Sequence, residues 1–342
     1  MNSFGRIFRI SIFGESHGES VGIVIDGCPS GLLLISDDFL PDLERRKGGT
    51  QKGTTPRQED DLPVFKSGLF NNTTTGAPIT ILFDNKNIRS SDYEKQRAIP
   101  RPGHADFVAK TKAGGYEDYR GSGHFSGRLT VALVAAGVIA KKLLGLVERK
   151  LESEVKKGIN ITAAILETGG ETDLNKGLQK AIDNKDTIGG IIECRVNGLP
   201  VGLGEPFFDS VESQLAHIVF AIPAVRGIEF GTGFAAAKMF GSQHNDAIEN
   251  MQGKTKTNHA GGVVGGLTNG NELVFRIAIK PTSSTPKKQT TLNWETEKVE
   301  TVSVKGRHDL CIALRVPVIL EAVTAIVLAD LLLLEQRIKR VL

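Results

Sequence analysis

Alternation of apolar and polar residues predicts strands along the N-terminal quarter of the chain. Residues 7–13 and 21–27 alternate in this way, and residues 62–70 and 77–85 read as paired strands around the turn 71–76. Three further apolar segments of strand length lie at 159–166, 188–196 and 271–281. The pattern therefore predicts a molecule with a substantial content of β-sheet.

Helical periodicity predicts four main helices. The first is a short amphipathic helix with Ser36 as its N-cap, and the second is apolar on almost every side behind the N-cap Ser126, which predicts burial. The last begins at Pro317, a residue favoured in a first helical turn. The predicted ranges are 36–46, 126–147, 210–223 and 317 to about 340. Residues 226–246 read as a glycine-punctuated turn, a short helix and another turn.

Strands and helices are interspersed without the regular alternation of a doubly wound sheet. Neither GxGxxG after a strand nor GxxxxGK[ST] is present, so the commonest nucleotide-binding signatures are missing from the sequence. The prediction is an α+β fold, a single large domain over residues 1–342 with antiparallel or mixed sheets packed on central helices. Residues 86–125 are poor in apolar side chains and show little apparent secondary structure, and a long stretch of this kind is often functional.

Composition excludes several classes of protein. The 342 residues are 40% hydrophobic and 24% charged, as in soluble globular proteins, and the net charge of +3 is too small to indicate a nucleic-acid partner. The apolar segment 318–334 contains Glu321 and Asp330, which favours a buried helix over a membrane span. Three cysteines without CxxC spacing and no evident metal-ligand cluster argue against disulfides and a metal site. With no recognisable signal peptide, we expect a cytoplasmic protein.

A basic loop occupies residues 45–57 and precedes an acidic run at 59–61. Such a loop suits an anionic small molecule. The alternative is a solvated surface loop, and charge alone does not decide between the two.

Two histidines, His17 and His104, lie in glycine-flanked turns about ninety residues apart. Histidine titrates near neutral pH and can donate a proton to a leaving group or a reduced cofactor. Each on its own is also compatible with a turn histidine that hydrogen-bonds the backbone.

Three further segments combine glycine with charge or hydroxyl groups. Residues 121–128 precede the apolar helix, where backbone amides bind anions or are simply capped. Residues 258–270 are a glycine-rich hairpin or a cradle for a flat group, followed by Lys280 and several hydroxyl residues. Residues 305–311 place charged side chains beside an apolar helix, where they must be paired internally or used in chemistry.

Taken in order, these segments resemble the chorismate synthase family. The matching strings are FGRIFRISIFGESHG, ERRKGGT, RPGHADF, AVRGIEFG, NHAGGVVGGLTNG, KPTSS and GRHD, and they span residues 4 to 309. The resemblance implies an anti-1,4-elimination of phosphate from 5-enolpyruvylshikimate 3-phosphate, giving chorismate. It also implies reduced FMN as cofactor without net redox change, no flavin reductase activity in a chain this compact, and a homotetramer.

The resemblance also assigns residues. It implies His17 as the acid that assists phosphate departure, His104 as the proton donor to the reduced flavin, and Asp309 as the aspartate that helps the flavin take the substrate proton. Arg46 and Lys52 match positions for the substrate or NADP. The positions implied for FMN are His124, Phe125, Ser126, Ala224, Gly265, Lys280, Pro281, Thr282, Ser283, Ser284 and Arg307.

The sequence departs from the family pattern at three places. His124 and Phe125 stand where the family usually has Arg and Ser, Lys52 replaces an arginine, and Pro223 replaces an asparagine. Lysine keeps the charge but loses the two-pronged guanidinium geometry. Two other classes stay open at this point: a flavin oxidoreductase that reduces its own FMN, and a non-catalytic protein that binds a phosphate ligand. The latter is favoured if His17, His104 and Asp309 do not converge.

Overall fold

The computed structural model describes residues 2–49, 51–57, 59–88, 97–151, 154–304, 306, 308–338 and 341. The strands are β1 (Ser3–Phe4), β2 (Arg9–Gly14), β3 (Ser20–Asp26), β4 (Val64–Ser67), β5 (Leu69–Phe70), β6 (Thr73–Thr74), β7 (Ile79–Asp84), β8 (Glu148–Leu151), β9 (Glu154–Lys157), β10 (Asn160–Thr168), β11 (Gly190–Asn197), β12 (Val225–Phe230), β13 (Val263–Val264), β14 (Leu267–Thr268), β15 (Leu273–Ile279), β16 (Gln289–Asn293) and β17 (Lys298–Val302). The helices are α1 (Leu40–Arg46), α2 (Asp106–Ala113), α3 (Thr130–Leu144), α4 (Leu174–Asn184), α5 (Val211–Val219), α6 (Gly241–His244) and α7 (Val316–Leu334).

Two antiparallel sheets enclose a central pair of helices. The first sheet has the strand order β1-β2-β3-β7-β4 and the second β10-β11-β15-β12. Helix α3 packs on β2, β3 and β7, α7 packs on β10 and β11, and the two helices pack on each other. The arrangement confirms the predicted α+β fold with sheets on central helices.

The apolar pattern of α3 is explained by its position between the first sheet and α7. Nearly every residue from Thr130 to Leu144 is buried, because neighbours cover the helix on all sides. Ser126 accepts a hydrogen bond from the Arg128 backbone amide and caps the 3₁₀ turn Gly127–Leu129, which leads into α3. The predicted cap is therefore confirmed, one short turn before the helix proper.

Helices α3 and α7 approach most closely at Gly137. A Cβ built there would lie 2.2 Å from Ala322 Cβ, far inside contact distance. We therefore expect Gly137→Ala to force the helices apart and to destabilise the protein by about 1–3 kcal/mol, the usual cost of overpacking. Urea unfolding measures this loss. Gly241→Ala is the control, because nothing lies within 4 Å of its Cβ position, and an equal loss in both variants would contradict the account.

The two carboxylates of α7 have specific hydrogen-bond partners. Asp330 accepts hydrogen bonds from the backbone amides of Arg6, Ile7 and Phe8 at 2.7–2.9 Å, which ties α7 to the start of the chain. Glu321 accepts from Arg45 and Lys141. Burial opposes the charge on Glu321, yet these two cations hold its pKa below the usual range.

The stretch Ile312–Leu334 is the one helical stretch of the described residues long and apolar enough to span a membrane. Ninety-four per cent of its most apolar window is buried inside the protein. Its apolar surface is thus covered by α3, α5 and the second sheet.

Three local predictions were wrong. Residues 225–230 form the edge strand β12 rather than a turn, because they pair with β15. The stretch 86–125 contains α2, whose low apolar content reflects an exposed position. Ser36 makes no capping bond and lies inside a 3₁₀ turn, with Ile35 at the N-cap.

Candidate functional site

A cleft of about 430 Å³ opens beside the N-terminal ends of α3 and α7. Ser126, Gly127 and Thr130 line it at the start of α3, and Arg315, Val316 and Ile319 line it at the start of α7. This volume lies within the range of small-molecule sites. Loop residues complete the walls: they come from the basic loop after α1 and from 101–105, 121–125, 222–224, 280–284 and 308–309.

Positive charge dominates the described lining. Its carboxylates are Glu59 and Asp309, whereas seven of its side chains are basic. These are Arg46, Lys47, Arg57, Arg101, Arg128, Lys280 and Arg315. A narrow cleft with this excess of cations concentrates anions such as phosphate or carboxylate groups.

Asp61 holds two of the lining arginines in place. Its carboxylate is almost fully buried; it accepts from Arg46 Nη2 at 2.6 Å and from Arg128 Nη1. Burial opposes its ionisation, but the two guanidinium groups outweigh this and hold the pKa of Asp61 below the usual range. Arg46 Nε is buried and has no hydrogen-bond partner among the described residues. One donor of Arg46 thus remains for a ligand in the cleft it lines.

His104 lies in a compact polar cluster on the opposite wall. Asp106 Oδ1 is 2.7 Å from His104 Nδ1 and 2.7 Å from Arg101 Nη2, and Arg101 Nε donates to Asp106 Oδ2 at 2.8 Å. Ser122 Oγ lies 3.4 Å from His104 Nε2. Despite burial, Arg101 and His104 keep the pKa of Asp106 well below its usual range.

Asp309 lines the cleft near α7. It accepts from the Thr55 backbone amide at 2.8 Å and from Arg315 Nη1 at 3.1 Å. Asp309 of the charged segment 305–311 is thus paired with an arginine outside that segment, Arg315. Arg307 lies outside the described residues.

The loop after β15 supplies hydroxyl groups and a lysine. Lys280, Pro281, Thr282, Ser283 and Ser284 all line the cleft. Lys280 Nζ and Ser283 Oγ both donate to the Gly103 carbonyl, which joins this loop to the His104 segment. Burial and the nearby Arg226 lower the pKa of Lys280. Thr282 Oγ1 is buried without a hydrogen-bond partner in the described part of the chain, and is available to a ligand.

His17 does not line the cleft, although it lies directly behind it. It is 5% exposed, in the turn between β2 and β3. Gly121, which lines the cleft, is in van der Waals contact with the His17 ring. Arg57 reaches back from the lining to Ser16 Oγ at 3.1 Å. The structure therefore brings His104 and Asp309 into one cleft and places His17 one residue behind its wall.

The remaining assigned residues divide into two groups. Arg46, Phe125, Ser126 and Ala224 line the cleft, as do the five residues of the 280–284 loop. Lys52, His124 and Gly265 do not. His124 contacts the Gly14 carbonyl at 2.9 Å and Asn2 Oδ1 at 3.2 Å, and Gly265 lies in the turn of the β13–β14 hairpin.

A second cavity of about 210 Å³ adjoins the cleft. His104, Ala105, Ser122 and Phe125 border both, so His104 stands in the partition between them. Trp294, the chain's only tryptophan, lines the second cavity and donates to the Arg97 carbonyl at 2.6 Å.

Two of the cleft arginines received no role from the sequence. Arg101 belongs to the RPGHAD string and lies three residues before His104. This closeness in sequence could have indicated that Arg101 lies in the same site. Arg315 is a lone charge before an apolar helix, and a buried charge of that kind needs a partner or a function. Its contact with Asp309 supplies the partner.

Comparison with known proteins identifies relatives over the whole chain. The family model for chorismate synthase matches residues 8–333. A chorismate synthase from Chitinophaga pinensis is 67% identical over 100% of this chain and 99% of its own length. One from Methanocaldococcus jannaschii is 40% identical over 97% of this chain and 96% of its own length.

A solved structure shares the fold. A crystal structure of chorismate synthase superposes with a TM-score of 0.71 and covers 97% of this chain and 93% of its own. At 24% identity, this match concerns the fold alone.

Proposed function

The chain belongs to the chorismate synthase family, and from this premise we propose that the basic cleft performs the family's anti-1,4-elimination. The activity is that of a carbon–oxygen lyase acting on a phosphate ester. The proposed substrate is 5-enolpyruvylshikimate 3-phosphate and the product chorismate. The single observation that supports the cleft as the site is its excess of lining cations around His104 and Asp309.

The cations have two roles in this proposal. They bind the carboxylate and phosphate groups of the substrate, and they stabilise the charge that develops as phosphate leaves. Arg46 and Arg128 are held rigidly by Asp61, so little reorganisation is needed during the reaction. The free Nε of Arg46 suits an anionic oxygen. Lys52 is proposed to share the binding of substrate or NADP from outside the lining.

The cleft also fits a flavin. Phe125, Ala224 and Ile319 supply apolar surface, and Ser126 with the 280–284 loop supplies donors, including the unpartnered Thr282 hydroxyl. Reduced FMN, when bound, lends electron density that helps phosphate depart without net redox change. We assign FMN contacts to these residues, with Arg307, Gly265 and His124 as further proposed contacts.

The proton-transfer residues follow the same assignment. His17 would act as general acid for the departing phosphate, His104 would hold the proton that bound reduced FMN requires, and Asp309 would help to receive the substrate proton. The closeness of His104 and Asp309 to one ligand space supports their roles. Gly121 separates the His17 ring from the cleft at this point. We propose that His17 acts on the bound substrate through this thin part of the wall.

Other properties follow from family membership as proposals. We propose one domain over residues 1–342, a homotetramer, a cytoplasmic location and no flavin reductase activity of its own. No nucleic-acid, membrane or metal partner is proposed.

The test is an anaerobic assay with 5-enolpyruvylshikimate 3-phosphate and chemically reduced FMN. We expect equal amounts of chorismate and phosphate, and no net consumption of reduced flavin. Absence of chorismate would refute the proposal. In a parallel reaction with NADPH and oxidised FMN, we expect no product; turnover there would show that the chain reduces its own flavin.

A further inference from the structure

Asp106 contacts the edge of the His104 ring that carries Nδ1. The other ring nitrogen, Nε2, lies on the side of Ser122, which lines both cavities. We propose that Asp106 is a positioning residue that keeps a proton on Nδ1 of His104, so that Nε2 exchanges protons with bound ligands. The inference rests on the proposed role of His104 as a proton donor.

The hydrogen-bond geometry selects this tautomer. Nδ1 lies 2.7 Å from Asp106 Oδ1 and 3.0 Å from Arg101 Nη2. An ionised carboxylate only accepts hydrogen bonds, so the shorter contact requires a proton on Nδ1. A bare Nδ1 would set its lone pair against the carboxylate, with only the longer Arg101 contact in compensation. Nε2 is then free to donate as imidazolium and to accept as neutral imidazole.

Arg101 keeps Asp106 in place and ionised. It binds both carboxylate oxygens through Nε and Nη2, and its own backbone amide donates to Oδ2 at 3.0 Å. Its Nη1 and Nη2 also donate to Ser284 and Ser122, so the guanidinium is anchored across the cleft. With this support the carboxylate remains a fixed acceptor for the histidine.

The charges facing His104 determine the effect of removing the carboxylate. Asp106 favours the imidazolium, whereas the nearby guanidinium of Arg101 disfavours it. Lys280 Nζ, which donates to the Gly103 carbonyl next to His104, is a further cation on this wall. In Asp106→Asn the cations remain unopposed and an amide, which can both donate and accept, faces the ring, so Nδ1 is no longer held protonated.

The experiment combines NMR of the histidine ring with kinetics on the full-length enzyme. In the wild type, ¹⁵N shifts should report a proton on Nδ1 of neutral His104, assigned by its loss in His104→Gln. In Asp106→Asn, the ¹⁵N shifts should report a mixture of the two neutral tautomers of His104. At neutral pH kcat should drop on the order of 10²-fold, and KM should change by no more than about twofold.

Two variants serve as controls. Asp26→Asn removes the carboxylate from the exposed Arg9–Asp26 pair on the first sheet and should leave both readouts unchanged. Asp106→Glu keeps the charge and should recover part of the lost kcat and the proton on Nδ1 of neutral His104.

The outcomes separate this inference from the proposed function. A proton on Nε2 of neutral His104 in the wild type overturns the inference, whether or not any variant folds. So does an unchanged tautomer of neutral His104 in a folded Asp106→Asn variant. If His104→Gln retains full turnover, the proposed function of His104 fails, while the NMR result still decides whether Asp106 sets its tautomer.

Discussion

Replacing Asp61 with asparagine should destabilise the protein by about 3–5 kcal/mol, the cost of removing one partner from a buried ion pair. Asp61 is 3% exposed and lies between Arg46 and Arg128, which are themselves 3% and 6% exposed. Without the carboxylate, two buried guanidinium groups repel each other beside the cleft. Urea unfolding at neutral pH measures the loss.

The neighbouring aspartate offers a matched control. Asp60 makes only an exposed 3.5 Å pair with Lys86, so Asp60→Asn should change stability by no more than about 0.5 kcal/mol. Equal losses in the two variants would show that the Asp61 pair does not carry the stability assigned to it.

The lowered pKa of Asp61 also predicts how the stability of the protein depends on pH. The folded-state pKa of Asp61 is lowered, so its contribution is complete above the unfolded pKa of about 3.9 and is lost as pH falls through the folded value. The stability gap between wild type and Asp61→Asn should therefore stay constant from pH 7 to about 5 and narrow below about 4. A gap that widened on acidification would contradict the sign.

The central helices could be predicted from the sequence because their environment is uniform. Residues 126–147 are apolar on every side, and only a buried helix satisfies that pattern. The interruptions Glu321 and Asp330 looked like ordinary breaks in an apolar run. Their partners come from far along the chain, such as the backbone amide of Phe8 and the side chain of Arg45, so local pattern could not identify them.

The acidic run 59–61 illustrates what sequence hides in the site. The sequence shows only that three carboxylates follow the basic loop, but their side chains alternate in the structure: Glu59 and Asp61 are buried and Asp60 is exposed. Each buried carboxylate is used by a cleft arginine, Glu59 by Arg57 and Asp61 by Arg46. Charge composition suggested an anion site, yet only tertiary structure shows which charges face the ligand.

The second large expected effect is a loss of catalytic rate when His17 is replaced. If His17 is the general acid for the departing phosphate, His17→Ala should lower kcat by about 10²–10⁴-fold in the folded variant. An anaerobic assay of phosphate release measures kcat. His217→Ala, on the exposed side of α5, is the control and should retain full turnover. Full turnover in His17→Ala would remove His17 from the mechanism.

Gly121 tests the same role without touching the histidine. Its φ is +57°, and a Cβ there would lie 2.4 Å from His17 Cδ2 and 2.6 Å from Nε2, so Gly121→Ala must displace the ring. Gly115→Ala is the matched control: its φ of +87° carries similar backbone strain, of about 1–2 kcal/mol, but nothing lies within 4 Å of the new Cβ. Gly115→Ala measures the effect of backbone strain alone, and Gly121→Ala should lose more stability because it also displaces a buried ring. We expect only Gly121→Ala to lose kcat, by about 10–10²-fold. If the two variants kept equal turnover, the position of His17 behind this wall would not matter to the reaction.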